Sequence, residues 1–408
     1  MPKKYKKTMT ACCLGYVTQS IVVNLAPLFF VIFSSSYGFS YSYIAALVFV
    51  TFAVQIAVDA ASVKFMGRLG YKRCAVLSQA VSAAGLLLLG TLPALMGNRH
   101  AAVMISVVVY SIGGALIEVV ISPITDALPT ESSEGAMSLL HSFYSWGQVF
   151  VILVTTLLIA LIGREHWYFI PLLWTALPVA NVFLFLTTPV IEPGPESEGS
   201  NRHAFASPAF VLTMILMISA GASEQIMAQW ASIFCERGLG VTKVVGDLLG
   251  PCLFAAFMGI GRTLYGIAGD GKKLLSSIRF CSALCIVCYL LTVFSGNAFL
   301  SLAGCAFCGL GVSLLWPGMI SVTSASYPTG GPAMFALLAL GGDIGCSVGP
   351  YLTGVVSDTV SNSARLSSLA AERGIGVDEL SLKAGILAGI VFPVLMLTGT
   401  LLLKKRKK

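Results

Sequence analysis

Glu118, Glu224 and Asp343 stand inside long apolar stretches of the 408-residue chain. If these stretches cross a bilayer, each charge costs about 2.5–3.5 kcal/mol on insertion scales, so an acid retained there indicates a function. A carboxyl group in such a place can bind a proton or a coupling cation. We therefore expect all three to act in ion coupling, with a structural role in a cavity wall as the alternative for Asp343.

Glu118 lies on a polar stripe, whose other members recur at the three- and four-residue spacing of one helix face: Ser111, Gly114, Ser122 and Thr125. The next apolar stretch has a similar stripe, made of His141, Tyr144, Ser145 and Gln148. A carboxyl and an imidazole can share a proton near neutral pH, so Glu118 and His141 are a candidate proton-coupling pair. A static buried hydrogen bond is the alternative role for His141.

Amide residues mark the expected substrate site, because amides both donate and accept hydrogen bonds, as sugar hydroxyls require. Indole rings offer flat apolar surfaces to sugar C–H faces, although packing between helices is an equally good explanation for each tryptophan. The predicted substrate-binding residues are Gln19, Asn24, Tyr144, Trp146, Gln148, Glu224, Gln225, Gln229, Trp230 and Trp316.

The composition identifies the elements that must position these residues. Hydrophobic residues make up 56% of the chain and charged residues 11%, against about 25% charged in soluble domains. A spanning helix needs about 20 mostly apolar residues. The sequence contains twelve such runs: 8–34, 41–66, 74–96, 101–124, 135–163, 167–190, 207–235, 244–268, 274–295, 297–321, 332–357 and 383–403. The first is too long for a cleaved signal peptide and is interpreted as a retained span.

Basic residues gather at the two ends of the chain, within 3–7 and 404–408, which places both termini in the cytoplasm by the positive-inside rule. An even number of spans satisfies this arrangement. The net charge of +7 is spread over helix ends rather than one patch, so nucleic acid is not an expected partner. We expect a monomer in the inner (plasma) membrane, whose partners are the lipid bilayer and a small-molecule solute.

Segment 191–206 is rich in Pro, Gly, Ser and charge and is predicted to be a cytoplasmic linker between bundles 1–190 and 207–408. Short patterns recur at an offset of about two hundred residues, such as Gly15 with Gln19 and Gly221 with Gln225. Over essentially its whole length the sequence resembles the major facilitator superfamily, which consists of two parallel six-helix repeats. This resemblance implies an all-α membrane protein with twelve transmembrane helices in two pseudo-symmetric bundles.

Residues 67–73, GRLGYKR, are similar to the D-R-x-G-R-R loop of that superfamily, with glycine at the Asp position. Asp59, two turns earlier, is the candidate substitute. The resemblance implies that a set of charged residues latches helix ends in one state: Asp59, Arg68, Lys72, Arg73, Arg262 and Asp270. The alternative is that these charges only set topology.

Residues 140–147, LHSFYSWG, are similar to a His-Ser-Phe-(Phe/Tyr)-x-x-Gly segment of fucose permeases and related sugar symporters. Glu118 matches a functional Glu of that group, whereas Asn24 stands in the span where the group has an Asp. The resemblance implies proton-coupled uptake of a neutral polar solute such as a sugar. Na⁺ coupling through Asp343 or Glu224 is the alternative for the ion.

Several other functions are weighed against this one. Proton-coupled efflux of cationic or lipophilic compounds is the second hypothesis, but 146–150 lacks the G-x-x-x-G-P pattern of efflux carriers. A non-transporting sensor would have a long soluble tail, and an enzyme would have a nucleophile elbow or phosphate loop. The pairs Cys285/Cys288 and Cys305/Cys308 have zinc-site spacing but lie in apolar runs, which favours buried thiols. No metal or cofactor is expected, and the lack of a mid-membrane cationic clamp argues against an anionic solute.

Overall fold

The computed structural model describes residues 3–129, 133–191, 207–268, 273–327, 331–372 and 374–403, and all regular structure in these ranges is helical. The helices of the first half are α1 Lys3–Asn24, α2 Phe30–Tyr37, α3 Tyr41–Leu69, α4 Tyr71–Leu95, α5 Arg99–Asp126, α6 Ser133–Ile162, α7 Phe169–Trp174 and α8 Ala176–Thr187. Those of the second half are α9 Pro208–Ile233, α10 Lys243–Asp247, α11 Leu253–Ala268, α12 Leu274–Phe294, α13 Ala298–Val312, α14 Leu315–Ser326, α15 Gly331–Ser361, α16 Ala364–Glu372, α17 Val377–Ala388 and α18 Val391–Leu402.

Eleven helical stretches of the described residues are long and apolar enough to cross a membrane. They coincide with eleven of the twelve predicted spans. The remaining span is α15, which has 31 residues. The prediction of an all-helical chain with a twelve-helix architecture is confirmed.

Several spans consist of two helical pieces, and a proline stands at the start of the second piece. Pro178, Pro317 and Pro393 are each the third residue of α8, α14 and α18. The first N–H groups of a helix have no intrahelical partner, so proline is tolerated there but interrupts the preceding helix. These breaks account for three of the divided spans, and α16 lies between the last two spans.

Contacts divide the chain into two compact units, Met1–Phe39 with Val50–Pro195 and Ser40–Phe49 with Glu196–Lys408. The predicted linker 191–206 lies, after residue 191, outside the described residues. The first turns of α3 belong to the second unit because the carboxylate of Asp358 accepts hydrogen bonds from the N–H groups of Tyr41, at 2.9 Å, and Ser42, at 2.6 Å. A carboxylate in this position caps the helix start, where unsatisfied N–H groups carry partial positive charge.

Glycines allow close approach of helices in both units. In the first unit, a Cβ added to Gly85 of α4 would lie 2.3 Å from the backbone nitrogen of Tyr110 in α5. In the second, a Cβ at Gly345 of α15 would lie 2.0 Å from the carbonyl oxygen of Ile218 in α9.

Large apolar side chains such as Phe183 and Leu161 are 64% and 81% exposed, an arrangement that lipid tolerates and water does not.

Candidate functional site

Glu118 in α5 is held by amide groups from two other helices of the first unit. Its Oε2 accepts hydrogen bonds from Nε2 of Gln19 in α1, at 3.3 Å, and from Nε2 of Gln55 in α3. Both glutamines are 4% exposed, and Glu118 is half-buried. Among the described residues, no lysine or arginine forms an ion pair with this carboxyl group. Amides stabilise a carboxylate without neutralising it, so the group can still take up a proton or another cation.

Tyr16 extends this cluster towards α6. Its hydroxyl lies 2.9 Å from Oγ of Ser122, and its ring meets the His141 ring edge-on with centroids 5.2 Å apart. The described hydrogen-bond partners of Glu118 are the two amides, and its pairing with His141 stays a prediction. Helix α1 packs against both α5 and α6, the two helices that carry the polar stripes.

Further polar contacts fasten α1 to α6. Ser20 Oγ donates to the carbonyl oxygen of Tyr144 at 2.7 Å, and Asn24 Nδ2 donates to the Ser20 carbonyl at 3.0 Å. Gln148 is 2% exposed. Asn24 therefore satisfies the last turn of its own helix, and the predicted solute contacts of Asn24, Tyr144 and Gln148 stay predictions.

In the second unit, Glu224 of α9 pairs with Arg262 of α11. Arg262 Nη2 lies 3.0 Å from Glu224 Oε2, and Arg262 Nε donates to the Ser313 carbonyl at 3.3 Å. The side chains are 11% exposed for Glu224 and 29% for Arg262. Arg262 was expected to act in a cytoplasmic latch, whereas its observed contact is with a predicted site residue. The pair makes this part of the second unit formally neutral.

A row of polar side chains continues along α9 from Glu224. Gln229 Nε2 donates to Gln225 Oε1 at 2.9 Å, and both side chains are buried. One turn further, Ser232 Oγ donates to Asp247 Oδ1 at 2.5 Å and accepts from Lys243 Nζ at 3.2 Å. The row thus ends at a buried ion pair, in which Lys243 Nζ lies 2.9 Å from Asp247 Oδ2.

Three members of these clusters were not selected from the sequence: Gln55, Lys243 and Asp247. The sequence does contain an indication of a role for Gln55, because this residue is a lone amide in an apolar run and stands four residues before Asp59. Lys243 and Asp247 also have four-residue spacing, which places opposite charges together on one helix face. Two five-residue π-helical segments, Phe234–Gly238 and Leu248–Cys252, flank this pair, and π-helical turns are frequent at functional sites.

The three predicted tryptophans occupy different environments. Trp146 is 52% exposed and shares its face of α6 with the exposed Phe143 and Phe150, apart from the buried polar stripe. Trp230 is fully buried, and its Nε1 donates to the Pro350 carbonyl at 3.1 Å. Trp316 is half-buried. These placements favour helix packing for Trp230 and leave Trp316 as the tryptophan next to a predicted acidic site.

Asp343 is 4% exposed in α15. The neighbouring Gly342 allows the Trp316 ring to lie directly on the α15 backbone, since a Cβ at Gly342 would lie 2.0 Å from Cη2 of that ring. Asp343 is therefore the next residue after Gly342, the glycine of α15 on which the Trp316 ring of α14 packs. Ion coupling and a structural role both stay predictions for Asp343.

The predicted loop residues fall into three groups. Lys72 Nζ donates to the Thr188 carbonyl at 2.9 Å, so it caps the C-terminal end of α8, where a cation is favoured. Arg73 is exposed, and the Arg68 side chain and Asp270 lie outside the described part of the chain. Asp59 is half-buried within α3 and interacts electrostatically with Glu118.

The two Cys-x-x-Cys pairs meet inside the second unit. Cys285 Sγ lies 3.7 Å from Cys308 Sγ, and Cys285, Cys288, Cys305 and Cys308 are all at most 3% exposed. Within the described residues, no group of three or more His, Cys, Asp or Glu side chains has a metal-binding arrangement. The thiols therefore pack as small buried side chains between α12 and α13.

A sequence model of the Major Facilitator Superfamily matches residues 12–360. No curated protein matches the chain. A bacterial homologue of the human lysosomal transporter Spinster, in an inward-facing and occupied conformation, has a TM-score of 0.75 at 14% identity, over 98% of this chain and 97% of that one.

Two further solved structures are similar in fold. A mutant of the nucleoside transporter NupG has a TM-score of 0.73 at 13% identity, over 98% of this chain and 99% of that one. The major facilitator transporter FucP, in its outward conformation, has a TM-score of 0.64 at 13% identity, over 98% and 99% of the two chains. At such low identity these likenesses concern the fold alone.

Proposed function

Because the chain belongs to the major facilitator superfamily, and is thus a multi-pass membrane transporter rather than an enzyme, we propose that it takes up a small neutral polar solute, such as a sugar, together with a proton. Glu118 is the proposed proton carrier. The observation that carries this proposal is the contrast between two acids inside the spans. Glu224 is neutralised by Arg262, whereas Glu118 has only amide partners among its described hydrogen bonds.

Protonation of Glu118 provides the coupling. A carboxylate without a counter-ion is costly to enclose away from water, and a neutral carboxyl group is much less so. The carrier can therefore occlude its solute when Glu118 is protonated, and loss of the proton on the other side favours reopening. A proton that stabilises one state of the carrier more than another shifts the equilibrium between them, which is the requirement for coupling.

The polar groups of both units support a neutral solute. Among the residues that the structure describes, Gln19 Oε1 is buried and has no hydrogen-bond partner, so it can accept from a solute hydroxyl or N–H group. The row of Gln225, Gln229 and Ser232 supplies further hydrogen-bonding groups on α9. One solved structure of similar fold is that of a nucleoside transporter, and sugars and nucleosides share the hydroxyl groups that such side chains recognise.

Two alternatives follow from the same carboxyl groups. A cationic compound could also bind at Glu118, in exchange for a proton, as in a drug antiporter. Na⁺ could replace H⁺, bound by Asp343 or by Glu224. We further propose a plasma-membrane location, both termini in the cytoplasm and a monomeric carrier, on the basis of the basic residues at the helix ends.

The test is solute uptake into proteoliposomes with an alkaline interior, using labelled monosaccharides and nucleosides. The wild-type protein should concentrate at least one of them only when the pH gradient is present, and a Na⁺ gradient should not replace it. Glu118→Gln should abolish accumulation and retain solute exchange at equal pH. Glu379→Gln, which removes a carboxyl group paired with Lys383, is the matched control. Full accumulation by Glu118→Gln would refute the proposal, and proton-driven extrusion of a cationic dye by wild type would establish the antiporter instead.

A further inference from the structure

Asp59 and Glu118 are acidic residues of different spans in one polar cluster of the first unit. Asp59 follows Gln55 by four residues, so the two side chains project from the same face of α3. Gln55 donates to Glu118 Oε2, which shows that this face of α3 is turned towards Glu118. The carboxyl group of Asp59 interacts electrostatically with that of Glu118.

Asp59 lies well before the loop that follows α3. It lies ten residues before the end of that helix, from 59 to 69, which is about 15 Å at 1.5 Å per residue. Glu118 lies eight residues before the end of α5, from 118 to 126, or about 12 Å. The two carboxyl groups therefore lie at similar distances from the ends of their helices, well inside the spans.

We propose that Asp59 and Glu118 form one proton-binding carboxyl pair, in which a single proton is shared and Gln55 fixes the Glu118 side chain. Two carboxylates in a poorly solvated site repel each other, and one proton removes that repulsion by bonding to one carboxyl oxygen and donating to the other. The pair then passes from two negative charges to one. This inference rests on the proposed function, because it assigns a second residue to the same coupling site.

Other titratable groups also face the pair. Tyr16 of α1 is electrostatically coupled to Glu118, and its hydroxyl is bonded to Ser122. His141 of α6 lies behind the Tyr16 ring and would add a positive charge when protonated. Neither residue is a carboxyl group, so infrared spectroscopy separates their titration from that of the pair.

The experiment is a pH titration of purified protein by infrared difference spectroscopy, read at the C=O stretch of protonated carboxyl groups. The variants are Asp59→Asn, Asp59→Glu and Glu118→Gln, with Glu379→Gln as the control, each first shown to unfold at the wild-type temperature. For a coupled pair, Asp59→Asn should move the midpoint of the Glu118 band by about one pH unit or more to lower pH, and Glu118→Gln should do the same to the Asp59 band. Asp59→Glu should restore the wild-type profile.

The outcomes separate the two proposals. An unchanged Glu118 band in Asp59→Asn overturns the pair and leaves Glu118 as a lone proton carrier. If Glu118→Gln loses no titrating carboxyl band relative to the wild type, both the pair and the proposed proton coupling are overturned.

Discussion

The guanidinium of Arg262 lies 3.0 Å from the carboxylate of Glu224, and this pair joins α9 to α11 inside the second unit. Arg262 also reaches the Ser313 carbonyl of the broken span formed by α13 and α14. One arginine therefore connects three spans and neutralises a predicted site residue. The ion pair gives the second unit a different electrostatic character from the surroundings of Glu118.

Replacing Arg262 should be destabilising because it leaves Glu224 without its counter-ion. We expect Arg262→Met to cost about 3 kcal/mol of unfolding free energy, as is typical when one partner of a buried pair is removed. Glu224→Gln combined with Arg262→Met should recover much of this loss. Denaturant unfolding of the detergent-solubilised protein measures both, with the exposed Arg365→Met as the control. Equal stability of the single and double variants would contradict the role assigned to the pair.

The Lys243–Asp247 pair should be more sensitive still, since its side chains are only 5% and 1% exposed. Lys243→Met leaves a buried carboxylate whose remaining described partner is the Ser232 hydroxyl, and we expect a loss of about 3–5 kcal/mol. The double variant Lys243→Met/Asp247→Leu should be close to wild type, because buried pairs replaced by apolar side chains are often neutral in stability. Unfolding midpoints and the yield of monodisperse protein give the comparison. A fully stable Lys243→Met would show that water reaches this site.

The sequence predicted the helices well because a bilayer requires long apolar runs, and that signal is read directly from residue types. The helix face of Glu118 was also predictable, since spacing alone places Ser122 and Glu118 on one side of α5. Identifying the partners across helices was not possible from the sequence. Gln55 lies 63 residues from Glu118 in the chain, and no local pattern indicates which face of α3 turns towards α5.

Charge pairing was the second feature that the sequence did not reveal. Arg262 stands near the end of its span, so its charge was assigned to a cytoplasmic latch, yet its long side chain reaches Glu224 in α9. Long basic side chains often place their charge some distance from their own Cα atom. Lys243 and Asp247 are both buried, and two π-helical segments flank them, which residue types alone do not indicate.

Gly345 tests the close contact of α9 with α15. A Cβ there would lie 2.0 Å from the Ile218 carbonyl oxygen, and backbone cannot move aside as a flexible side chain can. We expect Gly345→Ala to lower the unfolding free energy by about 1–3 kcal/mol, the usual cost of overpacking. Gly376→Ala is the matched control, because Gly376 has a φ of −66° and no heavy atom within 4 Å of an added Cβ. Thermal unfolding of both variants decides the point, and equal melting temperatures would mean that the two helices separate at little cost.

Variants of Trp230 and Trp316 distinguish a helix-packing role of an indole ring from a solute-binding role. Trp230 is fully buried and donates to the Pro350 carbonyl, so Trp230→Phe should lose about 1 kcal/mol of stability and leave the KM of uptake unchanged. Trp316 is half-buried beside Gly342, next in sequence to Asp343. If an indole ring contacts the solute, Trp316→Leu should raise KM by about tenfold, which corresponds to about 1.4 kcal/mol. Uptake kinetics of both variants, measured with the solute found for the wild type, provide the test. A raised KM for Trp230→Phe with KM unchanged for Trp316→Leu would reverse the assignment and place the solute against α9 rather than beside α15.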